Sequence, residues 1–187
     1  MGKLVDDWLD TGDLARVDED GFVYLTGRAK DLIIRGGHNI DPSVIEDALL
    51  AHADVTGALA VGRPDKHAGE VPIAYVSVVA GAEADAANLE KWAREQIVEQ
   101  AAAPKAVVIL DALPLTDVGK PYKLALRARA TQDAIEAELA DVEGVIAIAT
   151  TVEDGAVVAT IDVTDEDAAG SVVARLSQYS LSYRITL

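Results

Sequence analysis

The chain has 187 residues, half of them hydrophobic, and a net charge of −16. That is enough for one ordinary domain with a real core, or for one domain plus a small appendage. The 16 Lys and Arg residues form no basic face, which argues against nucleic acid and anionic membrane as partners, and the absence of cysteine excludes disulfides, thiolate nucleophiles and Cys-based metal sites.

Acid is unevenly spread. Residues 131–187 carry 11 acids against 2 bases, while the first 130 residues carry 21 against 14. The shift predicts two units, 1–130 and 131–187. No apolar run approaches the ~18 residues of a membrane helix. Met1 to Asp6 lacks a signal-peptide apolar core, so a cytoplasmic location is expected.

Residues 1–10 show no strong period. Thr11-Gly12-Asp13 precedes a hairpin from Leu14-Ala15-Arg16-Val17 to Phe22-Val23-Tyr24-Leu25, with Asp20-Gly21 as the turn signal. The densest stretch follows, from Gly27 to Pro42. Leu32-Ile33-Ile34 reads as a short buried strand and Gly36-Gly37 as a bare-backbone loop. Asp41 suits a helix N-cap, with Pro42 at the first helical position. Ile45 and Leu49 then share a helical face. Val55–Val61 and Val71–Val79 read as strands around an Arg63–Glu70 loop. Asp85 can cap a helix carrying Leu89, Trp92, Ala93 and Ile97. Val107–Leu110 is a third core strand. Leu113–Pro121 is a loop, and Lys123–Arg129 is a candidate helix.

In the acidic unit, Ile135 and Leu139 mark a short helix. Val145–Val152 and Ala156–Val163 form a hairpin through Asp154-Gly155. Thr164–Asp167 resembles a capping box before a helix with Val172, Val173 and Leu176. Leu181, Tyr183, Ile185 and Leu187 alternate with polar residues as in a half-buried strand. The order is α-β-β-α-β.

Two candidate chemistries fail on spacing. Gly119-Lys120 lacks the following Ser or Thr and the preceding Gly of a phosphate-binding P-loop. His38, His52 and His67 show no metal-ligand spacing, and no metal site is expected in the chain.

Asp13, Arg28, Lys30 and Lys120 would each be unremarkable alone. Their order is informative: Thr11-Gly12-Asp13, Gly27-Arg28-Ala29-Lys30-Asp31, Gly36-Gly37-His38-Asn39-Ile40, Ile45-Glu46, Gly62-Arg63-Pro64-Asp65 with Gly69-Glu70, and Gly119-Lys120. Across residues 8–130 this resembles the C-terminal lid domain of adenylate-forming enzymes, most closely acyl-CoA synthetases. The resemblance implies an α+β fold, a two-layer mixed sheet with helices, followed by the α-β-β-α-β appendage. It implies activation of a carboxylic acid by ATP to an acyl-adenylate and AMP, then transfer to coenzyme A.

The resemblance also assigns roles. Asp13 would accept from both ribose hydroxyls, and Arg28 would bind the same nucleotide. Lys120 would be catalytic, bridging the attacking carboxylate and the α-phosphate. Lys30 would be the hinge, and Gly36 and Gly37 would face the coenzyme A tunnel. The large N-terminal adenylation domain, which would be the partner and would hold ATP and Mg, is absent, so full activity is not expected from the chain alone. Pro121 and Lys123 stand where the family often has Ile and Arg, which puts the local loop geometry in question. Two rival readings are a peptide-synthetase lid and a non-catalytic interaction module. No carrier attachment serine follows in 131–187, which weighs against the first. Retention of Asp13, Arg28 and Lys120 weighs against the second.

Overall fold

Two short hairpins come first in the structure, a computed structural model that describes residues 3–187. Strand β1 (Lys3–Val5) pairs with β2 (Trp8–Asp10), a hairpin that the sequence did not signal. Strand β3 (Asp13–Val17) pairs with β4 (Val23–Arg28). At their turn the Asp18 carboxylate accepts the backbone N–H groups of Asp20 (3.1 Å) and Phe22 (2.9 Å). Large apolar side chains of these hairpins face solvent: Trp8 is 80% exposed and Leu25 73%.

A single 3-10 turn, Ala29–Asp31, leads to β5 (Ile33–Arg35). The chain then reverses through Gly36-Gly37 into β6 (His38–Ile40), where the sequence suggested only a loop. Both glycines have positive φ (55° and 88°), the backbone that a two-residue hairpin turn requires. Ile33 and Ile40 sit opposite each other and are buried. Helix α1 (Pro42–Leu50) starts as expected, the Asp41 carboxylate accepting from the Ser43 N–H at 2.9 Å.

Strands β7 (Val55–Asp65) and β8 (Gly69–Val78) form a long antiparallel pair. Both run further than the sequence suggested, because Asp65 closes the turn by accepting from the His67 and Ala68 N–H groups. Helix α2 (Ala86–Gln96) is capped by Asp85. Its Trp92 indole donates to the Ala48 carbonyl at 2.9 Å and ties α2 to α1. Strand β9 (Ala106–Ile109) lies parallel to β8.

Four consecutive residues of β8, Ile73 to Val76, are buried, so both faces of the sheet are covered. Ala74 and Val76 pack with Ile45, Leu49, Leu89 and Ala93 of α1 and α2. Ile73 and Tyr75 pack with Leu126 and Ala130 of α3 (Lys123–Leu139). The architecture is α+β as expected, with α3 adding a helical layer beyond the two read from the sequence.

Helix α3 is one continuous helix where the sequence suggested two pieces. The 130/131 boundary falls inside it. Its later residues Ile135 and Leu139 enter a second core with Ala159, Ile161, Val172 and Leu176. That core belongs to the α-β-β-α-β arrangement, which matches the expected order: β10 (Val145–Glu153), β11 (Ala156–Val163), α4 (Glu166–Leu176) and β12 (Tyr183–Thr186). The sheet order is β10-β11-β12, antiparallel then parallel. The cap of α4 is Asp165, bonded to the Ala168 N–H at 2.9 Å, and not Thr164, whose hydroxyl instead donates to Asp165.

Because one helix serves both cores, loss in one should be felt in the other. Ile135→Ala should cost about 2–5 kcal/mol, as for other buried large-to-small changes. It should shift the urea transition read at Trp92, whose indole donates to the carbonyl of Ala48, a residue packed against the first core. An unshifted Trp92 transition would show that the two cores unfold independently.

Candidate functional site

The register of β3 and β4 sets Asp13 directly opposite Arg28. The Arg28 Nε donates to Asp13 Oδ1 at 2.8 Å. This bond, more than any other contact, holds the Asp13 carboxyl below its ordinary value of 3.8, against a smaller opposing effect of burial. In turn Asp13 raises Arg28. The pair is a preformed, ionised unit at the open end of the hairpin. A carboxylate with two oxygens keeps acceptor capacity beyond the one bond to Arg28.

Lys30 lies in the 3-10 turn between the β3–β4 hairpin and the main sheet. Its carbonyl accepts from Arg127 Nη1 at 3.3 Å. Lys120 sits in the loop between β9 and α3. That loop is closed locally: Thr116 accepts from the Gly119 N–H (2.8 Å) and donates its own N–H to the Lys120 carbonyl (2.7 Å). The Thr116 hydroxyl accepts from the Lys120 N–H at 3.1 Å. Leu115 pairs with Pro121, so the proline closes the loop where the sequence left its geometry open. Two residues on, Lys123 Nζ meets Glu46 Oε1 at 2.7 Å. Glu46 also accepts the Ala60 N–H at 2.8 Å, which fixes the start of α3 to α1 and β7. The Lys120 side chain is exposed and has no ion-pair partner among the described residues.

Arg28, Lys30 and Lys120 line one cleft of about 710 Å³. Lys123 and Arg127 line it too, opposed by Asp31 and Glu70, and Ser180–Ser182 of the acidic unit form part of its wall. A cluster of cations in a chain of net charge −16 is a local inversion of sign, suited to an anionic ligand. A hollow of about 800 Å³ at the start of α4 is lined by Asp141, Glu143, Asp165 and Asp167 with Arg175, and lacks that character. Asp13 reaches the cleft through its bond to Arg28. Gly36 and Gly37 lie outside it, at the tip of β5–β6, where Arg35 donates to the Ala101 carbonyl and His38 meets Glu99 at 3.0 Å.

Arg127 and Glu70 were not singled out as site residues. Glu70 lay inside a family landmark without a role. Arg127 is one helical turn beyond Lys123, so the Lys123/Arg127 spacing on α3 was the available signal. Among the described residues no group of three or more His, Asp or Glu is placed to hold a metal ion. Among the same residues no helix is long and apolar enough to cross a membrane.

Residues 44–120 match the family model of the AMP-binding enzyme C-terminal domain. This part of the chain is such a domain. The match ends on Lys120. A marinolic acid–CoA ligase from Pseudoalteromonas sp. is 52% identical over 120 residues, 64% of this chain and 18% of its own length. A medium/long-chain-fatty-acid–CoA ligase from Mycobacterium tuberculosis is 44% identical over 130 residues, 66% of this chain and 23% of its own length. The amide bond synthetase McbA from Marinactinospora thermotolerans superposes with a TM-score of 0.61 at 37% identity, covering 68% of this chain and 26% of that one. The chain thus spans about a fifth of the length of these curated relatives. The residues matched by that family model take in β7, β8 and β9 of the main sheet, α2 and most of α1, with β5 and β6 just before them. The Asp13–Arg28 hairpin and the acidic unit lie beyond the matched residues on either side.

The Asp13–Arg28 bond has a definite pH signature. A carboxyl depressed in the folded state contributes stability that is present above its ordinary value of 3.8 and is lost as pH falls through the lower folded value. Arg28→Ala should move the Asp13 titration up toward 3.8, read by carbon NMR of the carboxyl. An unchanged titration would remove Arg28 as the cause.

Proposed function

We propose that the chain is the hinge and C-terminal lid of an acyl-CoA synthetase. It works with an N-terminal adenylation domain that carries the acyl pocket and most contacts to ATP and Mg. The complete enzyme joins a carboxylic acid to ATP, releases pyrophosphate, and passes the acyl group from AMP to the thiol of coenzyme A. The observation that carries this reading is that Arg28, Lys30 and Lys120 share one cation-rich cleft.

Each role follows from the chemistry of its residue. Asp13, kept ionised by Arg28, accepts from vicinal ribose hydroxyls. Arg28 holds the same nucleotide with the remaining donors of its fork. Lys120 brings an unpaired cation to two anions that otherwise repel, the carboxylate and the α-phosphate, and offsets charge as the new bond forms. Lys30 is the point about which the lid turns between half-reactions. Gly36 and Gly37 give bare backbone for the pantetheine arm of coenzyme A. The exposed apolar residues of the first hairpins, Trp8, Leu9, Phe22 and Leu25, supply the surface that meets the adenylation domain. The setting is the cytoplasm, where ATP and coenzyme A are both at hand.

With an adenylation domain joined to the chain, Lys120→Ala should slow adenylate formation by a factor of ~10²–10³, the scale for one preorganised electrostatic group. Thioester formation from supplied acyl-adenylate should persist. Equal loss of both half-reactions would sink the assignment to adenylation.

The 187-residue chain alone should bind nucleotide weakly. Two charge-assisted bonds contribute about 1.5–3 kcal/mol each, and immobilising a free ligand costs at least ~4 kcal/mol. The difference corresponds to millimolar affinity or weaker. Calorimetric titration with ATP, AMP and coenzyme A should show no micromolar saturation. Saturation there would favour a self-sufficient binding module.

A further inference from the structure

We propose that Glu70 and Arg127 form a clamp on the backbone that leaves the hinge, and that they are positioning residues for Lys120. The proposal rests on reading Lys30 as the hinge.

The two side chains pair with each other, and each also holds main chain. Arg127 Nη1 donates to the Lys30 carbonyl at 3.3 Å. The Glu70 Oε2 accepts the Ile34 N–H at 3.0 Å. One guanidinium–carboxylate unit therefore grips the connection at Lys30 and again four residues later. Both side chains are only 22% exposed, where charge-assisted bonds are less screened than on an open surface.

Ile33 is buried in the first core and β5 pairs with β6, but these contacts lie beyond the 3-10 turn that carries Lys30. Strand β5 meets β8 at the single pair Arg35–Gly69, and the 3-10 turn before it contains no buried residue. The clamp also has a place made for it. A Cβ at Gly62 would collide with the Glu70 carboxylate, so β7 is bare where the carboxylate must lie. This gives the Gly62 and Gly69-Glu70 landmark a physical purpose.

The consequence reaches Lys120 through α3. Arg127 sits one turn into the helix that begins just after the Lys120 loop, and Arg28, Lys120, Glu70 and Arg127 line one cleft. The Asp13–Arg28 hairpin lies before the hinge and Lys120 after it. Their relative placement is fixed where Glu70 and Arg127 grip the chain.

The test uses the full 187-residue chain, whose lack of cysteine permits clean labelling. Nitroxides at Thr26→Cys on β4 and Lys91→Cys on α2 report the hairpin against the lid by dipolar spectroscopy. The parent should give one narrow distance distribution, and Arg127→Ala and Glu70→Gln should each broaden it. Exchange of the Ile34 amide should rise roughly tenfold or more in Arg127→Ala, the scale for releasing a locally held segment. Unchanged width and unchanged exchange in a folded Arg127→Ala would overturn the clamp. If that variant does not fold, Glu70→Gln, which keeps the shape and one acceptor oxygen, decides alone: no broadening overturns the proposal. With an adenylation domain joined, Arg127→Ala should lower kcat for adenylation and leave KM for the carboxylate unchanged. A raised KM at unchanged kcat would overturn the positioning role. The label and exchange readouts need no turnover, so failure of the synthetase reading would leave them standing and be told apart.

Discussion

Helix α3 is the constraint on which the rest of the molecule depends. It buries Leu126 and Ala130 against Tyr75 and its neighbours, then Ile135 and Leu139 against the second sheet. A helix that is apolar toward two different cores cannot unwind in its middle without opening both. Side-chain bonds reinforce the junction. The Thr150 hydroxyl donates to the Ala128 carbonyl. Glu138 receives Lys66 from the β7–β8 turn at 3.1 Å and the Tyr179 hydroxyl at 2.7 Å. These partners, Tyr179 first, hold the Glu138 carboxyl below its usual range.

Charge is arranged against the average of the chain. An acidic protein keeps a handful of cations where the lid faces its cleft, and ties most of them to specific acids: Arg28 to Asp13, Lys123 to Glu46, Arg127 to Glu70. The paired cations are held in place, while Lys30 and Lys120 have no ion-pair partner among the described residues. The paired and unpaired cations are interspersed along the short path from β4 through the 3-10 turn to α3.

Much of this was legible in the residues. Caps at Asp41 and Asp85, the Asp20-Gly21 and Asp154-Gly155 turns, and the order of the acidic unit were all local signals, and local signals survive into the fold. Strand β6 was hidden because three residues are too few to show a period. The continuity of α3 was hidden because its two apolar faces point to different cores, which reads as two weak helices and not one strong one. The order of residue types through Asp13, Arg28, Lys30 and Lys120 was legible along the chain, and the fold brings the last three to one cleft. The Glu70–Arg127 contact joins positions 57 apart in sequence, and no pattern along the chain encodes such a pairing. Gly36 and Gly37 show the reverse: their motif was clear, yet the fold sets them on a hairpin tip away from the cleft.

The junction through Glu138 has a mechanical meaning. Helix α3 and the Lys66–Glu138–Tyr179 contacts bind the acidic unit to the main sheet, so the two move as one body. On the proposed reading of Lys30 as the hinge, a swing there carries a longer arm than the sheet and its first two helices alone. A longer arm meets more viscous drag and sweeps a wider sector. On that reading, neighbours of the hinge have to leave that sector clear, so the appendage defines an exclusion zone even though the part of it that lines the cleft carries no charged side chain.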